Sequence, residues 1–329
     1  MQSGSAARTV VITGGSSGIG LSTAQAFARR GENVVLVARG RTRLDEAARQ
    51  CEALGGRALV VPGDVMDVGR MRAVVSAATD AFGGVDVWVN NAGTSLWGPF
   101  EDIPPEVHSR LVQVDLLGAI NGAHAVVPHF LARGGTGLIV NVVSIGGRIP
   151  IPWAAGFSAA KFGLAGFTDA LRQELAVRSR IAVCGVYPAY VDTPTPVNSG
   201  NYTGRSLRPV PPVVTPERVA EAIVELTRRP RRARRVGTLH ALSAPYALAP
   251  ETTGRLAARL GRRFLLHAGT PVDPTDGGLF TTRLTAVVTR GGWGEPHRTR
   301  ARRTATGAGL VAAAGAAARL LGRRGRKCG

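Results

Sequence analysis

Thr9-Val10-Val11-Ile12-Thr13-Gly14-Gly15-Ser16-Ser17-Gly18-Ile19-Gly20 is the stretch that decides the fold. Residues 9–13 are β-branched and read as a short strand. The strand runs into Gly14, Gly18 and Gly20 and then into a helix-like stretch at about 18–30. The spacing differs from the common GxGxxG, but the physics is the same. Glycines allow a tight turn and close backbone approach, and the helix N-terminus offers free N–H groups to a pyrophosphate. A Gly-rich turn alone is only a strand-helix connection. Its position after a strand, before a helix and near the start of an alternating chain reads as nucleotide binding.

Working outward, the same alternation continues. Strand candidates fall at 33–38, 58–62, 85–90, 137–143 and 181–186, and helix candidates at about 43–54, 69–82, 105–130 and 156–178. The strand candidates are continuously apolar, not alternating, which suits strands buried on both faces of a parallel sheet. The expected architecture is α/β, a Rossmann-type doubly wound parallel sheet built from right-handed crossovers with helices on both faces. The Pro-, Gly- and Ser-rich stretch 194–214 interrupts it and reads as neither strand nor helix but as a substrate lid. A helix at about 216–228 follows, with Thr215 as expected N-cap and Pro216 at the first helical position. Next come the basic run 228–235 (RRPRRARR) and an apolar strand candidate at 236–242. The expected division is a dinucleotide-binding and catalytic domain over 1–243 and an Arg-rich extension over 244–329, partly disordered or helical.

Composition excludes several classes. Hydrophobic residues make up 44% of the 329 and charged residues 19%, enough for a large core and against global disorder. No continuous apolar run reaches the ~18 residues that mark a membrane span. Cys51, Cys184 and Cys328 form no CxxC pair, so neither a disulfide framework nor a cysteine zinc site is indicated. A reducing, cytoplasmic compartment is the matching expectation, and the N-terminus carries no secretory apolar region. His124 and His129 do not share a helix face, and no HExxH occurs, so no metal site is expected. There is no GxSxG hydrolase elbow. The net charge of +19 is uneven: residues 1–227 hold 20 basic and 18 acidic side chains, residues 228–329 hold 21 and 4. Nearly all the basic residues are arginine; Lys161 and Lys327 are the only lysines.

Several residues then take on chemical meaning. Arg39 ends the second strand, 19 positions after Gly20, where a dinucleotide fold meets the adenosine ribose. An acid there would bind the 2′-hydroxyl and repel a 2′-phosphate. Arginine attracts the phosphate, so NADP(H) is favoured over NAD(H). Asp64-Val65 follows the third strand, Asn90-Asn91-Ala92-Gly93 ends the fourth, Ser144 ends the fifth, and Lys161 lies one turn beyond Phe157.

With these parts in order, residues 8–240 resemble the short-chain dehydrogenase/reductase family, in its NADP-preferring group with a TGxxxGIG turn. The resemblance implies that Gly14, Ser16, Ser17, Gly18, Ile19 and Gly20 bind the pyrophosphate side of the cofactor. It implies that Asp64, with Val65, holds the adenine, and that Asn91, Ala92 and Gly93 pack under the cofactor. Pro188, Val191 and Thr193 would border the nicotinamide; Ala189 stands where the family prefers glycine. The family's catalytic set is Asn, Ser, Tyr and Lys. Tyrosine transfers the proton, lysine lowers its pKa and binds the nicotinamide ribose, serine orients the carbonyl, and asparagine holds a relay water. Ser144 and Lys161 match. Phe157 stands in the tyrosine slot and Asp115 in the asparagine slot, and both depart from the pattern.

The expected function is therefore an NADP(H)-dependent oxidoreductase acting on a carbonyl/alcohol pair, with impaired or rerouted proton transfer. A non-catalytic NADP(H)-binding sensor or scaffold is the alternative, resting on Phe157 and Asp115 together. Asp115 and Tyr190 are the substitute proton carriers to consider. Trp97 and Trp153 near the expected pocket suggest a lipophilic substrate. A homo-oligomer is compatible with the resemblance. The basic runs 228–235 and 298–303 leave peripheral membrane contact open. Their poor aromatic interleaving argues against nucleic acid. The Ala/Gly run 306–318 falls short of the ~20 residues that span a bilayer.

Overall fold

The computed structural model describes residues 7–293 except 268, 284 and 285. Seven strands form one parallel sheet: β1 (Thr9–Thr13), β2 (Asn33–Ala38), β3 (Arg57–Pro62), β4 (Val87–Asn90), β6 (Thr136–Val142), β7 (Arg180–Pro188) and β9 (Ala233–Val236). Their order is β3-β2-β1-β4-β6-β7-β9. The order reverses at β1, where β2 lies on one side and β4 on the other. Ligands of open α/β sheets bind outside the carboxyl ends of the strands at such a switch point.

Side chains within each strand face opposite ways, and helices cover both faces. Val10, Ile12, Val34 and Leu36 pack with Leu21 and Phe27 of α1 (Gly18–Ala28), Leu44 of α2 (Arg41–Glu52) and Ile223 of α8 (Pro216–Arg228). Val11, Val35, Val37 and Trp88 pack with Met71 and Val74 of α3 (Val68–Phe82) and Val126 and Phe130 of α5 (Gly118–Ala132). This double burial is why the strands read as unbroken apolar runs. Helix α6 (Ala155–Ala176) packs on β7, and α4 (Pro105–Val112) packs on α6.

Helix α4 continues through a π-helical stretch, Gln113–Leu117, into α5. Among the described residues, Pro105–Ala132 is the one helix long and apolar enough to cross a membrane by length and composition. Here its apolar face is taken up by α3 and the sheet.

Two local expectations are corrected, and a third, Thr215 as N-cap with Pro216 opening the helix, holds in position. Stretch 194–214 contains a short helix, α7 (Thr195–Asn198), and a strand, β8 (Gly200–Asn201), which pairs in parallel with β5 (Leu96–Trp97). That strand exists because of its partner and has no periodicity of its own. The last strand of the main sheet is the arginine-bearing Ala233–Val236, not 236–242. Gly237, at φ 112°, turns the chain away, and 238–242 is a 3₁₀ turn. An edge strand tolerates charge, and Arg234 pairs with Glu225 at 2.8 Å. Thr215 does precede α8 with extended backbone, but its side chain makes no capping hydrogen bond.

Beyond residue 243 the described residues stay on the domain. Helices α9 (Ser243–Leu248) and α10 (Pro250–Gly261) lead past Trp153, whose indole N–H donates to the Ala258 carbonyl at 3.2 Å. Residues 271–283 and 286–293 lie at the carboxyl end of the sheet. Leu279 is 1% exposed, inside the cluster of Leu96, Trp97, Leu111 and Phe157. The basic run 298–303, the Ala/Gly run 306–318 and Cys328 lie outside the described residues.

Candidate active site

A cleft of about 320 Å³ opens at the switch point. It gathers residues from far apart in the chain: Gly14, Ser16, Ser17, Gly18 and Ile19 from the first turn, Arg39 after β2, Asp64 and Val65 after β3, and Asn91, Ala92 and Gly93 after β4. Ser144, Phe157, Lys161, Pro188, Val191 and Thr193 line the same cleft. Gly20 and Asp115 are not on its wall, and of the two tryptophans expected near the pocket Trp97 lines it while Trp153 does not.

Gly20 lies beneath the turn. A Cβ there would fall 2.2 Å from the Gly14 carbonyl oxygen and 2.6 Å from Asn91 Nδ2. The helix thus presses on the turn so closely that only glycine fits. Gly14 adds a left-handed φ of 68°. Asn91 ties the turn to β4: its Nδ2 donates to the Thr13 carbonyl at 2.9 Å, and Thr13 Oγ1 accepts from the N–H groups of Asn91 and Ala92. Ser17 holds the N-cap position of α1 but caps none of its N–H groups. The Gly18 N–H is taken by the Val288 carbonyl at 3.0 Å; the helix end at Ile19, which lines the cleft without a side-chain cap, is the part suited to an anion. Gly20→Ala is expected to lower stability by roughly 1–3 kcal/mol through overpacking. Thermal unfolding of the variant checks it, and an unchanged midpoint would contradict the close approach.

At the adenosine end, Arg39 is joined by Arg43 in the first turn of α2. Arg43 Nη1 is buried without a hydrogen-bond partner. Burial, and then the neighbouring Arg39 charge, push the Arg43 pKa down. Neither guanidinium has a carboxylate in salt-bridge contact among the described residues. Sequence reading missed Arg43, because one more arginine in an Arg-rich chain has no local mark.

At the other end, Ser144 sits at φ 153°, a conformation that strains a non-glycine residue. Its Oγ accepts the Gly146 N–H at 3.1 Å, which leaves its own O–H free to donate. Lys161 is 6% exposed. Its Nζ lies 3.0 Å from Asp115 Oδ2 and 5.7 Å from the centre of the Phe157 ring. Asp115 is 1% exposed, and its Oδ1 accepts the Thr94 N–H at 2.9 Å. Burial pushes the Asp115 carboxyl pKa up; the Lys161 charge and the Thr94 N–H pull it back part of the way. The π-helical stretch Gln113–Leu117 carries Asp115. Such a bulge shifts the helix register by one residue, and these bulges recur at functional sites. Tyr190 also lines the cleft, and burial pushes its phenol up to about 12. No group of three or more His, Cys, Asp or Glu among the described residues could hold a metal. His129 is engaged structurally, its Nε2 accepting the Val85 N–H at 3.0 Å.

Residues 8–201 match the family model for short chain dehydrogenases. The chain belongs to that family. An uncharacterized oxidoreductase, YxnA of Bacillus subtilis, is 32% identical over 272 residues, covering 82% of this chain and 76% of YxnA. The crystal structure of an actinorhodin polyketide ketoreductase variant with NADPH superposes at a TM-score of 0.62, with 32% identity over 70% of this chain and 95% of that one. L-Sorbose reductase from Gluconobacter frateurii, solved with NADPH and L-sorbose, gives 0.63 and 31% identity over 72% of this chain and 97% of that one. This short-chain dehydrogenase thus has a dinucleotide-binding Rossmann fold and sits among oxidoreductases.

Proposed function

We propose that this chain is an NADP(H)-dependent oxidoreductase acting on a carbonyl/alcohol pair, with a proton route altered at Phe157 and Asp115. One observation carries the reading: a single cleft joins the Gly-rich turn, two arginines without carboxylate partners, and the Ser144–Lys161 end. The fit to the cofactor rests on the chain itself. The glycine turn leaves no room for a Cβ at Gly20, and Arg43 Nη1 is buried without a partner, as a site awaiting a phosphate oxygen requires. NADPH in the ketoreductase and sorbose reductase structures supports the same choice.

The bound nicotinamide supplies or accepts hydride. Everything else falls to the protein. Ser144 Oγ, with its acceptor side turned to Gly146, donates its proton to the substrate oxygen and orients it. Lys161 holds a positive charge beside that oxygen, and Asp115 holds Lys161. Phe157 fills the place where the family pattern has tyrosine and supplies shape without a proton. Tyr190, on the cleft wall, and Asp115, behind Lys161, are the candidate substitute proton carriers. Tyr190, at about 12, stays protonated at neutral pH and is a weak acid. Leu207, Ile151 and Leu265 line the cleft in the same cluster as Phe157 and Trp97 and favour a substrate with apolar surface. A second reading, a cofactor-binding protein without turnover, is favoured by Phe157 and Asp115 together.

The test is titration with NADPH and NADH, followed by a panel of ketones and alcohols. NADPH is expected to bind more tightly, and Arg39→Ala to reduce that preference roughly tenfold. Turnover that Tyr190→Phe or Asp115→Ala removes supports the rerouted proton. Tight NADPH binding with no turnover on any substrate supports the second reading, and absence of dinucleotide binding overturns both.

A further inference from the structure

Gly278 and Leu279 line the dinucleotide cleft, and the contacts of 278–280 converge on Arg39, the residue assigned above to the adenosine ribose. Arg39 Nη2 donates to the Gly278 carbonyl at 2.5 Å, and Nη1 donates to the Leu279 and Phe280 carbonyls at 3.1 and 3.3 Å. The Leu279 carbonyl also accepts Arg110 Nε at 3.2 Å. Arg110 in turn reaches Asp64 Oδ2 at 3.3 Å and faces the Phe280 ring at 5.7 Å. The strap is anchored at both ends. The Leu279 side chain is buried among core residues. Further on, the Val288 carbonyl accepts the Gly18 N–H at 3.0 Å, and the N–H groups of Gly291 and Trp293 donate to Asp192 Oδ1.

The chemistry of these partners matters. Carbonyls are neutral: they fix a guanidinium in place and leave its charge available, as a carboxylate would not. Arg39 remains exposed to solvent with two of its five N–H donors outside these bonds. The carboxylate in reach, Asp64, is engaged by Arg110. Three guanidiniums (Arg39, Arg43, Arg110) against one carboxylate leave a local excess of two positive charges, the complement of a phosphomonoester dianion.

We infer that the backbone of Gly278–Phe280 is a positioning element of the cofactor site, holding Arg39 ready for a 2′-phosphate, so that the C-terminal segment sets the preference for NADP(H). This rests on the NADP(H) reading above. It assigns to residues some 240 positions from Arg39 a part in cofactor choice.

The test uses the full chain and measures NADPH and NADH affinities. Gly277→Val displaces the strap, because Gly277 has a left-handed φ of 61° and a Cβ there would fall 2.3 Å from the Ser199 backbone carbonyl. Leu279→Ala loosens the same anchor more gently and serves if the valine variant fails to fold. Either is expected to weaken NADPH binding about tenfold, the worth of roughly one well-made hydrogen bond, and to change NADH binding less than about twofold. In an Arg39→Ala background, the strap substitution is expected to leave both affinities unchanged. Tighter NADPH binding in the variants, equal loss for both cofactors, or an undiminished effect without Arg39 would each overturn the strap's role. A wild-type protein that prefers NADPH while both variants keep that preference overturns only this inference. A wild-type protein without the preference overturns the cofactor reading itself.

Discussion

Phe157→Tyr is expected to raise the rate of ketone reduction with NADPH by about 10²–10⁴-fold, the range that a positioned general acid contributes. The argument is local. Phe157 is 9% exposed, lines the cleft with Ser144, and presents its ring 5.7 Å from Lys161 Nζ. Adding one oxygen at the ring tip changes little volume in a cleft that is not closed. It would place a phenol within the field of a buried ammonium, and a nearby positive charge lowers a phenol pKa. Initial rates of NADPH oxidation over a ketone panel, wild type against variant, measure the gain. A variant no faster than wild type would mean that the ring does not point at the reacting oxygen, and the altered-proton reading would fall.

The second large effect concerns the buried pair behind that ring. Asp115→Ala leaves Lys161 with its charge nine-tenths buried and no carboxylate at 3.0 Å. Breaking a buried pair from one side typically costs about 3–5 kcal/mol. Urea unfolding is expected to show that loss, and Asp115→Ala combined with Lys161→Met is expected to recover most of it, because no lone charge then remains buried. If the double variant is less stable than Asp115→Ala alone, the pair is not the source of the loss. The pH dependence has a definite sign. Burial raises the folded Asp115 pKa above its unfolded value. The folded chain therefore holds this proton more tightly. Its contribution to stability is complete below the unfolded pKa and is lost as pH rises through the folded one. Asp115→Asn, which keeps an oxygen for the Thr94 N–H, is expected to remove that slope from the wild-type stability curve.

Several features were legible in the chain before any coordinates. The unbroken apolar runs require strands covered on both sides, and β1, β2 and β4 are buried throughout or nearly so. The glycines at 14, 18 and 20 demand a tight turn: a Cβ at Gly14 or Gly20 would collide with its neighbours, and Gly18 needs glycine for its left-handed φ of 54°. Stretch 194–214 was misread because β8 is only two residues long and exists through pairing with β5. The run 236–242 was misread because an apolar pattern of that length does not reveal which part meets β7.

Sequence alone determined the doubly wound sheet and the Gly-rich turn after its first strand, and family resemblance singled out Ser144, Phe157 and Lys161, which the fold brings to one cleft. These are readable because local conformation and burial leave periodic or compositional marks. Only the tertiary structure decided that Asp115 would meet Lys161 through a π-helical register shift, that Arg43 would stand beside Arg39, and that Gly278–Phe280 would hold Arg39. Those contacts join residues up to 241 positions apart, mostly between polar groups. Periodicity reports which faces of an element are buried; it carries no information about which polar groups from distant elements meet when those faces close.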